Sequence, residues 1–482
     1  MVLHIYNSLT RKKEPFTSVR EDYVRMYNCG PTVYSYVHIG NLRSFLVADL
    51  LRRFLEFKRK KVLQVMNITD VGHMFHDEDV GEDKMEAAAK KEGKDPKEIA
   101  KFYTEKFFED IDNVNIQHAE YYPKATDHVK EIILLIEALI KNGHVYEADD
   151  GLYYDISTFK DYGKLSGNTI EQLQAGKRVE ARESKKSPYD FALWIKDPRH
   201  IMQWESPFGK GYPGWHIECS AMSMKYLSEA FEHGKFEPQL FETIDIHTGG
   251  EDNKFPHHEC EIAQSEGATK KQFIKYWLHV KHLIVNGEKM SKSLGNFYTL
   301  RDVLDKGHDA LAVRLQLIST HYRQQLNFTF EGVTEAKQTI ERFRDFMARL
   351  KDCKEGDLNP KVEGICASAA SKFEEALDDD LNVSAALAAV FDLMHDINKL
   401  ELSAKDAALA YDTMLRFDSV LGLDLEPKEE EISDEAKKLI TQREDARLKK
   451  DWKRSDELRD KLKALGIEVK DTKDGVKWKK IS

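Results

Sequence analysis

Residues Tyr23–Ile68 read YVRMYNCGPTVYSYVHIGNLRSFLVADLLRRFLEFKRKKVLQVMNI. The apolar, aromatic and β-branched run Tyr23–Cys29 predicts a strand, and Leu42–Phe57 repeats apolar residues at helical spacing. Val62–Ile68 predicts the next strand. Strand, helix and strand within about fifty residues make a βαβ unit of a parallel sheet. Such sheets bind ligands at the carboxyl ends of their strands, which places the connection between first strand and helix at a candidate site.

Downstream, the charged stretch Asp79–Lys106 is helix-prone and Ala125–Asn142 has the pattern of an amphipathic helix. Val145–Asp155 (VYEADDGLYYD) predicts a hairpin turning at Asp-Asp-Gly. Thr158–Pro207 is polar and reads as irregular, as expected of an insertion that splits the sheet, and periodic structure resumes at Pro213. Beyond Phe328, helical patterns recur at Thr334–Lys351, Ala367–Leu377, Val383–Leu402 and Ala404–Leu421, which predicts an antiparallel helix bundle. An acidic linker, Glu426–Glu431, leads into a basic tail.

The 482 residues imply roughly three or four domains. With 41% hydrophobic and 33% charged residues the composition is globular, neither disordered nor membranous. No apolar run is long enough to span a bilayer and Met1–Thr17 lacks the pattern of a secretory leader, so a cytoplasmic location is expected. The five cysteines Cys29, Cys219, Cys260, Cys353 and Cys366 are odd in number and scattered, which favours free thiols and metal ligands over a disulfide framework. Net charge is −11, yet Ala436–Ser482 holds sixteen Lys/Arg against nine Asp/Glu. The average argues against a nucleic-acid partner; the tail permits one.

Two strings carry chemistry. His38-Ile39-Gly40-Asn41 opens the predicted helix, where backbone N–H groups and the positive dipole end favour phosphate. Gly40 lets a nucleotide ring approach the backbone, and His38 can donate to phosphate oxygens. A turn with a capping residue would also write this tetrad. Lys289-Met290-Ser291-Lys292-Ser293 lies within VNGEKMSKSLGNF, where two lysines on a Gly- and Ser-rich loop supply mobile charges for a triphosphate. A solvated loop is the plain alternative, weakened because so specific a pentapeptide is rare by chance.

Together these strings resemble the two signatures of class I aminoacyl-tRNA synthetases, in the right order and flanking an insertion. Cys29, Pro213–Cys219 (PGWHIEC), Asp245–Gly250 (DIHTGG), Phe255–Glu261 (FPHHECE) and the tail's Lys450-Asp451-Trp452 and Ser455-Asp456 narrow the resemblance to the cysteinyl-tRNA synthetases, over nearly the whole chain. Chemically, Cys29 and Cys219 are soft donors, and His257 and Glu261, four apart, share a helix face. Cys260 shares that face too, and chemistry alone leaves it open as a ligand. The resemblance implies the set Cys29, Cys219, His257 and Glu261 around one zinc ion per chain, with Cys260 a packed thiol or one just behind the ligands, and His258 not a ligand. It also implies that zinc selects the substrate thiol, a distinction pocket shape exploits poorly.

The resemblance further implies ATP contacts from His38, Gly40, Asn41, Gly249, Gly250, Asp252 and Lys292, catalytic roles for His38, Asn41, Lys289 and Lys292, and an amino-acid pocket lined by Thr69 and Trp215. Asn41 departs from the class pattern, which has a second histidine there; a carboxamide can donate but cannot become a cation. The expected fold is α/β: a Rossmann-like parallel sheet split by an insertion, then an all-α bundle and a small basic C-terminal domain. The expected boundaries are 1–125 and 208–278 for the catalytic halves and 126–207 for the insertion. The signature loop and stem-contact region would span 279–330, the bundle 331–425 and an anticodon-binding domain 432–482. L-cysteine, ATP with Mg2+ and tRNA(Cys) are the expected partners of a monomer. Rival readings are a cysteine-adenylating ligase acting on an amino sugar and a non-catalytic zinc RNA-binding relative.

Overall fold

Val24–Asn28 (β1) is buried at every residue and lies inside a four-stranded parallel sheet. The computed structural model describes residues 2–72, 83–169, 185–426, 433–472 and 475–480. On one side β1 pairs with Val62–Met66 (β2), from Val24 opposite Val62 to Asn28 opposite Met66. On the other it pairs with Ile244–Gly250 (β3), which pairs outward with Ile274–Val280 (β4). The order β4-β3-β1-β2 means that the chain steps from β1 first to one side and later to the other. The carboxyl ends of β1 and β3 therefore flank a topological switch point, where open α/β sheets form ligand crevices.

Ile39–Phe57 (α1) makes the crossover from β1 to β2, beginning three residues before the predicted Leu42. Fourteen of its 19 residues are buried, as in a helix covered on both faces: the sheet lies on one side and the helix Ala404–Leu421 on the other. Arg43, fully buried in its first turns, donates to the carbonyls of Lys281, Leu317, Thr320, His321 and Gln324. That fan of bonds ties the start of α1 to the segment after β4. Trp215–Leu227 (α2) and His257–Thr269 (α3) pack together.

Between β2 and α2 the chain forms helices Lys84–Glu92 and Pro96–Asn113; the first lies within the stretch Asp79–Lys106 read as helix-prone and the second runs past its end to Asn113, while residues 79–82 lie outside the described residues. Gly93, at φ 64°, ends the first helix, and Asp95 starts the second with a capping box. The hairpin at 145–155 is present, Val145 opposite Tyr154 and Ala148 opposite Gly151. The expectation of an irregular Thr158–Pro207 needs correction. Phe191–Ile195 is a fully buried strand, joining the hairpin and Tyr212–Pro213 in a four-stranded antiparallel sheet. Its five residues FALWI are a short apolar run without alternation, the kind that periodicity cannot classify.

Helices Phe330–Lys351, Pro360–Asp378, Val383–Ile397 and Ala404–Leu421 form the expected bundle. Together with the sheet they make up a first unit, Met1–Leu425; Glu426–Ser482 is a second. The second unit has two helices, Asp434–Leu448 and Trp452–Ala464, then an antiparallel pair, Ile467–Thr472 with Gly475–Lys480. Its own core is Ala436, Leu462, Ile467 and Val469. Linker residues 427–432 lie outside the described residues. Among the described residues, no helix is long and apolar enough to cross a membrane.

Candidate active site and metal centre

Every residue of α3 except Glu266 is buried, although the sequence HHECEIAQSEGAT is largely polar. Buried polar groups need partners, and these find them. Glu259 accepts from the backbone N–H groups of Leu165 and Ser166, and Glu261 meets His247 Nε2 at 3.0 Å. A helix this polar in a protein core is one that presents chemistry inward.

Cys29 leaves β1 at the switch point. Its Sγ lies 3.3 Å from His258 Nε2 and 3.9 Å from Glu261 Oε1, while His257 Nε2 lies 3.2 Å from the same oxygen. Cys29, Cys219, His257 and Glu261 each offer one donor atom, all within 4.8 Å of one another. Cys29, His247, His258 and Glu261 form a second, overlapping group by the same measure. Donors about 2.0–2.3 Å from a tetrahedral zinc stand roughly 3.3–3.8 Å apart, so this spacing and the two-sulfur donor set fit such an ion. Burial pushes the Cys29 thiol well up, with Cys219 adding to it, and burial likewise raises the Glu261 carboxyl. A dication among these groups would reverse that preference, drawing both into their anionic forms. Cys260 is buried but its Sγ faces the Tyr162 hydroxyl at 3.6 Å, and it belongs to neither group.

α2 carries Trp215 and Cys219 four residues apart, hence on one face. The Trp215 ring packs on His257 with centroids 4.5 Å apart, and His257 Nδ1 meets His216 Nδ1 at 2.9 Å. Thr69 is buried beside the loop that follows Cys29: its N–H donates to Pro31 O and its carbonyl accepts from Val33 N. Its hydroxyl donates to Glu218 at 3.5 Å and accepts from Asn67 at 3.0 Å.

At the start of α1 the structure changes one expectation. The backbone N–H groups offered to phosphate are already engaged: His38 Nδ1 accepts from Gly40 N at 3.1 Å and Asn41 N at 3.2 Å, and Ile39 N donates to Tyr298 O. His38 is the helix cap, and because Nδ1 accepts, its proton sits on Nε2. Burial, with the charge of Lys292 second, lowers its pKa to about 4 and keeps the ring neutral. Gly40 is required by this cap, since a Cβ there would lie 2.8 Å from His38 Nδ1. Asn41 is exposed in the first turn.

The lysine loop closes over this corner. His38 and Thr299 form a backbone bridge, the Phe297 ring lies edge-on to His38 at 5.0 Å, and Lys292 Nζ sits 5.2 Å from the same ring. Asn296 braces the loop by accepting from Ser291 N and donating to Lys289 O. Lys289 and Lys292 are both exposed. At the end of β3, a Cβ on Gly249 would lie 2.7 Å from His258 Cε1 and one on Gly250 2.4 Å from Asp252 Oδ1, so both glycines make room for neighbouring side chains. Asp252 itself is exposed on the turn Glu251–Lys254.

His216, His247 and His258 stand in the quoted strings PGWHIEC, DIHTGG and FPHHECE without an expected role, and the structure brings all three to the candidate metal centre. Their signal was their placement in polar strings that turn out to be buried.

The family model for the "tRNA synthetases class I (C) catalytic domain" matches residues 15–338. A DALR domain matches 372–426, and a "Cysteinyl-tRNA ligase anticodon binding domain" matches 429–478. The chain is 44% identical to a cysteine-tRNA ligase of Brachyspira hyodysenteriae over 98% of both chains, and 42% identical to one of Chlorobaculum tepidum over 99% of both. Among solved structures it resembles a Mycobacterium tuberculosis methionyl-tRNA synthetase bound by methionyl-adenylate, with TM-score 0.59 and 14% identity over 83% of this chain and 90% of that one. An Agrobacterium radiobacter LeuRS in a ternary complex with tRNA and LeuAMS gives TM-score 0.61 at 11% identity over 85% of each. At such identities these two speak for the fold alone.

Proposed function

The chain belongs to the class I cysteinyl-tRNA synthetases, and from that premise we propose which of its residues activate L-cysteine with ATP and pass it to tRNA(Cys). The observation that carries the assignment is the convergence of Cys29, Cys219, His257 and Glu261 at the switch point. These four would hold one zinc ion. Bound there, zinc supplies a soft Lewis acid that accepts a substrate thiolate and discriminates against the hydroxyl of serine.

The substrate carboxylate attacks the α-phosphate of ATP, a P–O bond forms, and pyrophosphate leaves with the electron pair of the broken bond. Positioning and charge neutralisation dominate such a step. His38, neutral and capping α1 through Nδ1, directs its Nε2–H at the phosphates. Lys289 and Lys292 approach on their loop to stabilise charge on the departing group, and Mg2+ travels with ATP. Gly249, Gly250 and Asp252 cradle the adenosine, Asn41 donates from the first turn of α1, and Thr69 and Trp215 line the amino-acid pocket. Residues 1–125 and 208–278 serve as the catalytic halves around the insertion 126–207. Residues 279–330 carry the lysine loop and stem contacts, 331–425 form the bundle, and 432–482 read the anticodon. We read the chain as a cytoplasmic monomer. An amino-sugar ligase does not call for the anticodon-binding segment, and a non-catalytic relative does not call for both intact signatures.

Pyrophosphate exchange measured across the standard amino acids tests this reading. Exchange is expected with cysteine and at background with serine, and purified protein is expected to hold one zinc per chain. Equal exchange with serine, or none with any amino acid, would overturn it.

A further inference from the structure

Beside Cys29 stands a line of polar groups that the proposed chemistry does not use. Ser8 Oγ meets His279 Nδ1 at 2.8 Å, His279 Nε2 meets His258 Nδ1 at 2.8 Å, and His258 Nε2 meets Cys29 Sγ at 3.3 Å. All three supporting residues are buried, and they come from three separate places: the turn just after strand His4–Asn7, β4 and α3. The rings are held in place. Trp277 packs on His258 with centroids 5.1 Å apart and stacks on His279 at 6.3 Å, and Gly249 leaves no spare room beside His258.

The donors and acceptors can be counted along the line. A thiolate at Cys29 accepts only, so His258 Nε2 carries a hydrogen. A neutral His258 then accepts at Nδ1, which requires a hydrogen on His279 Nε2. His279 in turn accepts at Nδ1 from the Ser8 hydroxyl, which has one hydrogen to give. Every contact is satisfied with one polarity, running from Ser8 to the sulfur. Outer partners of this kind fix the orientation and electron density of a ligand.

We propose that Ser8, His279 and His258 are positioning residues that orient the Cys29 thiolate at the metal centre by a one-way hydrogen-bond relay. The proposal rests on the metal reading above and goes beyond it, because it makes His258 a donor to the ligand sulfur and not itself a ligand.

The test uses the full chain, with zinc and with cobalt substituted for it. His279→Phe keeps a ring but removes both nitrogens. It is expected to keep one metal per chain, to lose zinc to a chelator about 10- to 100-fold faster, and to shift the thiolate-to-cobalt charge-transfer band. KM for cysteine should rise more than kcat falls. His279→Gln, which can still donate to His258, should move the band and the chelation rate back toward wild type. Ser8→Ala removes only the outermost hydroxyl and should shift the band in the same sense by less, which keeps the idea testable if His279→Phe does not fold. Unchanged chelation and an unmoved cobalt band in His279→Phe and Ser8→Ala overturn the relay. Complete metal loss in His258→Phe, with His279→Phe like wild type, also overturns it by making His258 a ligand. A wild-type chain that binds neither metal overturns the underlying metal reading, an outcome visible before any variant is made.

Discussion

In the proposed mechanism the two ring nitrogens of His38 have two purposes, and substitutions can separate them. Nδ1 caps α1, and the proposed mechanism assigns Nε2–H to phosphate. Asparagine is among the best N-caps and has no hydrogen where Nε2–H stood, so His38→Asn should melt near wild type while exchange falls on the order of a hundredfold. His38→Ala should lose the cap as well, about 1 kcal/mol in thermal unfolding. The ring's pKa is about 4 folded against an ordinary 6.5. As pH falls below 6.5 the unfolded chain therefore takes up the proton first, and stability held by the neutral ring is lost on the way down to about 4. Melting temperature should drop more steeply across that window in wild type than in His38→Asn. Lys292→Ala should slow adenylation about a hundredfold or more with cysteine binding and metal content intact, as for loss of one donor at developing charge. An unchanged turnover number would remove Lys292 from the chemistry. At this scale the signatures were legible because each is local, whereas Cys29, Cys219 and His257 are separated by 190 and then 38 residues and only a fold or a family resemblance joins them.

Elements were legible where their ends are written in side chains. Ser403 and Asp406 form the capping box that starts Ala404–Leu421, and Gly422 at φ 67° ends it, so the predicted helix has the observed bounds. α3 was less legible as an element, because a helix that buries polar and apolar residues alike has no amphipathic stripe to read. α1 was legible as a helix but its anchor was not. Arg43 looks like one more surface arginine, yet it is buried and donates to five backbone carbonyls. Burial lowers its pKa to about 10, and it stays cationic at neutral pH. Arg43→Met should leave those carbonyls without their donor and destabilise the first unit by about 3 kcal/mol or more, seen as a lower melting temperature. Arg43→Lys should recover only part, since an ammonium has three hydrogens and no planar fork. A melting temperature equal to wild type in Arg43→Met would show that the fan of bonds does not fasten α1.

At the scale of the whole molecule, net charge misleads because it averages two unlike bodies. The chain is acidic overall at −11, but its last 47 residues hold a surplus of seven positive charges. The unit Glu426–Ser482 has a core of its own, and both large cores of Met1–Leu425 draw only on residues up to Leu425. Basic residues can hold an RNA backbone, and an exposed ring can stack on splayed loop bases. Trp452 is 56% exposed with the Arg447 guanidinium 5.6 Å from its ring centre, a surface suited to stacking. The tail's other tryptophan is Trp478, whose side chain lies outside the described residues. Removing everything after Glu430 should therefore leave cysteine-dependent pyrophosphate exchange close to wild type. tRNA charging should fall severely, through weaker binding whose dependence on salt also becomes shallower as phosphate contacts are lost. The measurement is charging efficiency against tRNA concentration at several ionic strengths, with exchange assayed on the same preparation. Unchanged charging across that range would mean that the tail does not bind RNA, and lost exchange would contradict the independence of the two cores.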